Sequence, residues 1–207
     1  MRNLGFGLFL LTGVAHAETV TIAALGDSLT QGYGLPEADG FVPQLQGWLV
    51  QNGADATLIN AGVSGDTTAG GLSRVDWTLT PDVDALIVAL GGNDFLRGLD
   101  PANSRENLRG IMQAAQTRGV PVLLIGLEAT NNYGPDYKAA FDSMYSDLAT
   151  EFGAILVPSF FAGIMAAGGD MRADYFQDDG IHPNAAGVAL DVAAIGPRVL
   201  DLIQAVD

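Results

Sequence analysis

The chain has 207 residues, no cysteine, and nine Lys and Arg side chains against 24 Asp and Glu, for a formal net charge of −15. This length can bury a full hydrophobic core without a disulfide or metal staple, and the lack of cysteine excludes a thiolate nucleophile and a Cys-ligated zinc. The charge excludes nucleic-acid binding, which needs Lys and Arg clusters that displace counterions, and it disfavours stable anchoring on anionic membranes.

Residues 1–17 have the pattern of a secretory signal peptide. Arg2 supplies a positive charge, Leu4 to Val14 is an apolar run, and Ala15-His16-Ala17 places small residues at the cleavage positions. The apolar run is too short to span a membrane, although a first buried strand or an uncleaved anchor would also be apolar. We therefore predict a single domain over residues 18–207 in a periplasmic or secreted protein, and we expect a monomer.

From residue 18 onward, strand patterns alternate with helix patterns. The predicted strands are Thr19 to Leu25, Ala56 to Ala61, Asp84 to Leu90, Val120 to Leu127 and Ala154 to Val157. The predicted helices are Phe41 to Gln51, Thr67 to Leu79, Asn103 to Arg118, Asp136 to Phe152, and Pro183 to Val206, which we expect to be broken near Pro197. The alternation predicts a three-layer α/β/α fold with a five-stranded parallel sheet, whose ligands bind beyond the carboxyl ends of the strands.

Ser28 follows the first predicted strand, in Gly26-Asp27-Ser28-Leu29. A serine at a strand-to-helix turn can act as a nucleophile, since the helix N-terminus favours developing negative charge, but it can equally be the N-cap of that helix. A phosphate-binding loop is disfavoured because the Gly-x-x-x-x-Gly-Lys motif is absent. The Gly-x-Ser-x-Gly elbow of α/β-hydrolases is absent too, although serine catalysis recurs on unrelated folds.

His182 is the only histidine left if the predicted signal peptide, with His16, is removed. A serine nucleophile needs a neighbouring base, and the base needs a partner that fixes its tautomer. Asp179 can reach Nδ1 of His182 if the two intervening residues form a turn, which leaves Nε2 to face Ser28. The alternatives are an ordinary loop histidine and a metal site, and the metal site has too few soft ligands for zinc.

Two more strand ends carry groups that suit acyl transfer. Acyl transfer needs hydrogen-bond donors directed at the oxyanion of the tetrahedral intermediate. Asn93 offers its side-chain amide, Gly65 its backbone N–H, and Ser28 its own backbone N–H. Each of these glycine-rich ends can also be a simple tight turn, with Asn93 in a left-handed conformation.

Together these motifs resemble the four blocks of the GDSL, or SGNH, hydrolase family. The blocks are Gly26-Asp27-Ser28-Leu29, Gly65, Gly91-x-Asn93-Asp94 and Asp179-x-x-His182, and they occur in the family's order across the chain from residue 18 onward. Longer stretches are similar to the branch that contains periplasmic thioesterases, lysophospholipases and arylesterases. These are Gly26 to Gly34, Asn60 to Thr67, Gly91 to Gly98, Asn132-Tyr133-Gly134 and Gln177 to Asn184.

The resemblance implies a flavodoxin-like sheet and assigns roles that agree with the residue chemistry. It makes Ser28 the nucleophile, His182 the base and Asp179 its partner, with Ser28, Gly65 and Asn93 as the oxyanion hole. It also implies that the loop from about Phe95 to Asp100 borders the acyl pocket. The predicted substrate-binding residues are Asp27, Asp94, Phe95, Leu96 and Leu99.

The predicted function is a serine esterase or thioesterase of the arylesterase, acyl-CoA thioesterase or lysophospholipase type. Its substrate is a small acyl ester or thioester, and the reaction passes through an acyl-enzyme on Ser28 without a metal or organic cofactor. The alternative within the enzyme class is a carbohydrate O-acetyl esterase, which would need a shallow polar site. From another class, a secreted lipid- or glycan-binding module would carry a serine that does no chemistry.

Overall fold

The computed structural model describes residues 19–206, apart from the side chain of Arg172. Its sheet contains β1 (Val20–Gly26), β2 (Ala56–Gly62), β3 (Ala85–Ala89), β4 (Val122–Ile125) and β5 (Ile155–Val157). The strand order is β2-β1-β3-β4-β5, and every pairing is parallel. The predicted five-stranded parallel sheet is therefore confirmed. The predicted signal peptide lies outside the described residues.

Helices connect the strands and cover both faces of the sheet. They are α1 (Ser28–Gln31), α2 (Phe41–Gln51), α3 (Thr68–Thr78), α4 (Gly92–Leu96), α5 (Pro101–Thr117), α6 (Pro135–Phe152), α7 (Ala162–Ala167), α8 (Met171–Tyr175) and α9 (Ala185–Gln204). Short 3₁₀ turns occur at Glu37–Asp39 and Asn131–Tyr133. Helices α3, α5 and α6 pack on one face, and α2 and α9 pack on the other. The three predicted layers are present.

The central strand β3 shows why the sheet has a core on each side. All five of its residues are buried. Leu86 and Val88 belong to the core beneath α3, α5 and α6, whereas Ala85 and Ile87 belong to the core beneath α2 and α9. Successive side chains of a strand point to opposite faces, so a continuous apolar run is what a strand covered on both faces requires. Truncating Leu86 to Ala would cost about 2–5 kcal/mol of stability.

The last helix differs from the prediction, because α9 runs unbroken through Pro197. Proline lacks the N–H for the helical hydrogen bond and costs about 3 kcal/mol inside a helix. Burial compensates here: Ile195, Val199 and Leu202 of the same helix are fully buried against the sheet. The predicted break was wrong because tertiary packing outweighs the local preference of proline.

Three short helices were not predicted. Helix α4 follows β3 almost directly, and α7 and α8 fill the connection between β5 and α9. Helices of five or six residues complete too few turns to show a hydrophobic period, so the pattern contains no signal for them. Within residues 19–206, no helix is both long and apolar enough to cross a membrane.

Candidate active site

The turn after β1 presents Ser28 at the carboxyl edge of the sheet. Asp27, rather than Ser28, is the N-cap of α1, and its Oδ1 accepts the backbone N–H of Leu29 at 3.0 Å. The N-cap alternative for Ser28 therefore does not apply. Its hydroxyl is left to face His182, with 2.8 Å between Oγ and Nε2.

The loop before α9 holds His182 and Asp179 together. Nδ1 of His182 lies 2.6 Å from Oδ2 of Asp179, and Gly180 makes the connecting turn with φ of 64°. Oδ1 of Asp179 accepts the backbone N–H groups of His182 and Ile181 at 3.0 and 2.8 Å. The hydrogen bonds from His182 lower the pKa of Asp179 to about 2. An ionised Asp179 favours the tautomer with its proton on Nδ1, which leaves Nε2 as an acceptor.

Gly65 and Asn93 line the same cleft as Ser28 and His182. Gly65 has φ of 84°, a left-handed conformation that favours glycine. Asn93 lies inside α4, so the alternative of a left-handed Asn93 does not apply. In the described part of the chain, neither the Gly65 N–H nor the Ser28 N–H donates a backbone hydrogen bond. Both N–H groups remain available to an oxyanion.

Asp27 is an ionisable group buried beside these donors. It is 2% exposed, and its Oδ2 accepts a long hydrogen bond of 3.4 Å from the side-chain amide of Asn93. Burial raises the pKa of Asp27 to about 6. Asp27 therefore holds α1 through its cap and contacts Asn93 through its second oxygen, and it also lines the cleft.

The cleft has a volume of about 480 Å³, which suits a small-molecule ligand. Its walls are largely apolar. They contain Leu127 and two aromatic pairs, Phe95 with Phe141 and Phe161 with Phe176. Leu96, Tyr33 and Ile181 line it from its exposed rim.

Two predicted substrate-binding residues lie off the cleft. Asp94 is 1% exposed, and its carboxylate accepts hydrogen bonds from the Thr68 N–H, the Thr68 hydroxyl and the Ser104 hydroxyl at 2.8, 2.6 and 2.8 Å. Leu99 is exposed beyond α4. The structure therefore does not bring either of them into the lining of the cleft. Asp94 ties α3, α4 and α5 together because its carboxylate needs buried partners.

Gln177 joins the His182 loop to the Ser28 turn, and its role was not predicted. Its side-chain amide donates to the carbonyls of Tyr33 and Pro183, each at 2.9 Å. Its backbone N–H donates to the carbonyl of His182 at 2.8 Å. The ring of Tyr33 in turn packs on the imidazole of His182, with 4.7 Å between centroids. Tyr33 and Gln177 lie in two of the stretches that resemble the hydrolase family, Gly26 to Gly34 and Gln177 to Asn184. That resemblance was the only feature of the sequence that drew attention to them.

Two arginines organise the strand ends, and neither was predicted. The guanidinium of Arg74 on α3 donates to the carbonyls of Gly26 and Ala61 at 2.8 and 2.6 Å, which links the ends of β1 and β2. Arg97, which ends α4, donates from its side chain to the carbonyl of Gly65 at 2.7 Å and from its backbone N–H to the carbonyl of Asn93 at 3.1 Å. Arg97 thereby connects the segments that carry Gly65 and Asn93.

Comparison with known proteins places this site in a family. The sequence pattern of the GDSL-like Lipase/Acylhydrolase family matches residues 24–190. The chain is 42% identical to esterase TesA of Pseudomonas aeruginosa, over 95% of this chain and 94% of that protein. It is 35% identical to thioesterase 1/protease 1/lysophospholipase L1 of Escherichia coli, over 88% and 84% of the two chains.

A solved structure gives the same assignment. The crystal structure of AlinE4, an SGNH-hydrolase family esterase, superposes with a TM-score of 0.73 at 44% identity, over 90% of this chain and 98% of that one. The family match over residues 24–190 includes all four motif segments. The chain belongs to the GDSL-like Lipase/Acylhydrolase family and is an ester-bond serine hydrolase.

Proposed function

We propose that the chain hydrolyses acyl esters and thioesters through an acyl-enzyme on Ser28, with His182 as general base and Asp179 as its partner. The observation that carries this proposal is the continuous hydrogen-bonded relay, in which Nε2 of His182 is 2.8 Å from Oγ of Ser28 and Nδ1 is 2.6 Å from Asp179. These are the contacts that proton transfer from the serine to the imidazole requires.

In the first half of the reaction, Oγ of Ser28 attacks the carbonyl carbon while its proton passes to Nε2 of His182. The imidazolium that forms is stabilised by the ionised Asp179. Collapse of the tetrahedral intermediate breaks the bond to the leaving group, which takes the proton from Nε2. Water then repeats the sequence on the acyl-enzyme, releasing the acid and restoring Ser28.

The negative oxygen of each tetrahedral intermediate would be held by three donors: the backbone N–H groups of Ser28 and Gly65 and the side-chain amide of Asn93. All three residues line one cleft, and the two N–H groups are unoccupied. Donors fixed before the reaction stabilise charge that develops only in the transition state, which is why such a site accelerates acyl transfer.

The apolar walls favour an alkyl or aryl acyl substrate over an acetylated carbohydrate. Four phenylalanines line the cleft that contains Ser28, whereas a sugar would need polar partners around its hydroxyls. A series of p-nitrophenyl esters tests this. We expect kcat/KM to rise from acetate to butyrate or longer acyl chains, and a maximum at acetate would favour the carbohydrate O-acetyl esterase.

The catalytic assignment is tested with Ser28→Ala, His182→Ala and the double variant. Residues that act as one unit lose activity non-additively. Each single variant should therefore nearly abolish ester hydrolysis, and the double variant should be little worse. Retention of most activity by His182→Ala would contradict the base assignment, as would additive losses.

We also infer export to the periplasm or beyond, based on the leader pattern in residues 1–17. Removal of that leader leaves His182 as the only imidazole in the chain, which agrees with the base assignment. N-terminal sequencing of the mature protein should begin at Glu18. A start at Met1 would contradict the inference.

A further inference from the structure

The cleft around Ser28 carries negative charge and lacks a cation of its own. Among its described lining residues there is no Lys or Arg, and the acidic side chains are those of Asp27 and Glu128. Glu128 is exposed, and its carboxylate has no ion-pair partner among the described side chains. An anionic substrate group that enters the cleft therefore approaches uncompensated carboxylates.

The rest of the molecule reinforces this field. Most described cations are already paired with carboxylates: Arg74 with Asp66, Arg105 with Asp147, Arg109 with Glu106 and Glu151, Arg118 with Asp76, Lys138 with Asp142, and Arg198 with Asp201. With a net charge of −15, the unpaired acidic groups dominate the long-range potential. A cleft with low-dielectric walls focuses such a potential at its mouth.

We propose that this cleft selects substrates by the charge of the leaving group: it accepts uncharged and cationic leaving groups, disfavours anionic ones, and uses Glu128 as the local determinant. This selectivity rests on the proposed hydrolysis at Ser28 and narrows its substrate class. Thioesters of CoA and of acidic carrier proteins fall on the disfavoured side, because the phosphates of CoA and the carboxylates of such carriers are ionised at neutral pH. A cationic group meets Glu128 and the half-exposed ring of Tyr33.

Arg97 lies beside the cleft and forms no ion pair with the described side chains, so an anion-binding role for Arg97 must be tested against the proposal. Its guanidinium donates to the carbonyl of Gly65, a cleft residue, at 2.7 Å. If Arg97 serves Gly65, Arg97→Lys, which keeps the charge but loses the guanidinium geometry, should lower kcat/KM by the same factor for substrates of every charge. A loss confined to anionic substrates would make Arg97 an anion-binding residue and would overturn the proposed selectivity.

The experiment uses three phenyl butyrates that differ at one ring position, which carries a sulfonate, an acetamido or a trimethylammonium group. The acyl group and the ester bond are the same in all three substrates, so the substrates differ in the leaving group alone. Each substrate is also compared with itself at low and high NaCl, which cancels differences in intrinsic reactivity. Raising NaCl from about 0.01 M to about 0.3 M shortens the Debye length from about 30 Å to below 10 Å. For the anionic ester we expect kcat/KM to rise about fivefold, and for the cationic ester to fall similarly, while the neutral ester stays nearly constant.

Butyryl-CoA and an uncharged butyryl thioester of N-acetylcysteamine extend the comparison to thioesters. The released thiol can be measured with a disulfide chromogen without background, because the chain has no cysteine. The ratio of kcat/KM for the CoA thioester to that for the uncharged thioester should rise with salt, as it does for the sulfonate ester. A ratio that does not depend on salt would overturn the proposal.

Two matched variants separate the local charge from the net charge. Glu128→Gln should raise the ratio of anionic to neutral kcat/KM about threefold at low salt. Asp82→Asn removes the same charge from an exposed turn before β3, at the opposite edge of the sheet, and should leave that ratio almost unchanged. Equal effects of the two variants would contradict the role of Glu128.

Failure of the selectivity is distinguishable from failure of the proposed function. If Ser28→Ala abolishes hydrolysis of all three phenyl esters but charge and salt have no effect, the selectivity is wrong and the acyl-enzyme mechanism stands. If hydrolysis of the neutral ester survives Ser28→Ala, the mechanism itself is wrong.

Discussion

The side-chain amide of Gln177 donates a hydrogen bond of 2.9 Å to the carbonyl of Tyr33, a residue 144 positions earlier in the chain. This bond joins the loop that carries Asp179 and His182 to the segment that follows Ser28. The side-chain amide of Gln177 donates a second hydrogen bond, to the carbonyl of Pro183, on the other side of His182 in the same loop. The distance between the base and the nucleophile therefore depends on a side chain that touches neither.

Replacing Gln177 with Met keeps the length of the side chain and removes both amide donors. We expect kcat to fall about tenfold with little change in KM, since small misplacement of a reacting pair costs rate rather than binding. The matched control is Gln46→Met, because Gln46 also bridges backbone groups, those of Ala56 and Leu58, but at β2 and away from the cleft. Steady-state kinetics with p-nitrophenyl butyrate check both, and an equal loss of kcat in both variants would contradict the positioning role.

Asp27→Asn should make the protein more stable and less active. Burial raises the pKa of Asp27 to about 6, so its carboxyl group binds a proton more tightly in the folded state than in the unfolded state. Stability therefore falls as pH rises from about 4 to about 6, and the cost of about 3 kcal/mol persists at higher pH. At pH 8, Asp27→Asn should raise the free energy of unfolding, whereas near pH 4 the two proteins should differ little.

The activity of the same variant should fall at pH 8, because Asn93 loses the anionic acceptor that orients its amide. We expect a decrease in kcat of about tenfold, by analogy with hydrogen bonds to charged groups, which contribute about 1.5–3 kcal/mol. Denaturant unfolding and initial rates on the same preparation give the two quantities. A variant that is both destabilised and fully active at pH 8 would contradict this account of Asp27.

Asn93→Ala should lower kcat by about 10²–10³ while leaving KM and stability nearly unchanged. Among the described residues, the amide of Asn93 forms one long hydrogen bond, to Asp27, so we expect its removal to leave the fold intact. Inhibition by a trifluoromethyl ketone, whose hydrated oxyanion resembles the intermediate, should weaken by a similar factor. If the inhibitor binds the variant as tightly as the original protein, Asn93 is not an oxyanion donor.

Asp191 on α9 makes the stability of the protein pH-dependent at a second place. It is fully buried, its Oδ1 accepts the backbone N–H of Ile164 at 3.1 Å, and its Oδ2 has no hydrogen-bond partner in the described structure. Burial raises the pKa of Asp191 to about 7. A raised carboxyl pKa means that stability falls as pH rises from about 4 to about 7, by up to about 4 kcal/mol.

Calorimetry at pH 5 and pH 8 tests Asp191. The melting temperature of the original protein should be lower at pH 8, and Asp191→Asn should reduce that difference, because asparagine does not titrate. The matched comparison is Asp82→Asn, an exposed substitution, which should keep the full difference. An unchanged pH dependence in Asp191→Asn would show that this carboxyl titrates normally.

The sheet could be predicted from the sequence because most of its strands are short, largely apolar runs followed by glycine or a polar residue. The same reasoning failed at Pro197, where burial of the surrounding helix outweighs the tendency of proline to break helices. It also missed α4, α7 and α8, which are too short to show a helical repeat of apolar residues. The motif residues that come together in space were predictable, since parallel strands bring their carboxyl ends to one edge.

The residues that hold the motifs in place were not predictable. Gln177, Arg74 and Arg97 act through backbone carbonyls of distant segments, and neither their spacing nor their type indicates such partners. Asp94 was predicted to bind substrate, whereas in the structure its carboxylate turns inward to Thr68 and Ser104. Side-chain direction within a short helix is set by packing, which a sequence pattern does not contain.

The central claim, that Ser28 is the nucleophile, is tested most directly by covalent labelling with a fluorophosphonate followed by peptide mass spectrometry. We predict one phosphonyl group per chain on Ser28, labelling that is much slower in His182→Ala, and no label on Ser64, a second serine that lines the same cleft. A label on Ser64, or a rate of labelling unaffected by His182→Ala, would contradict the account.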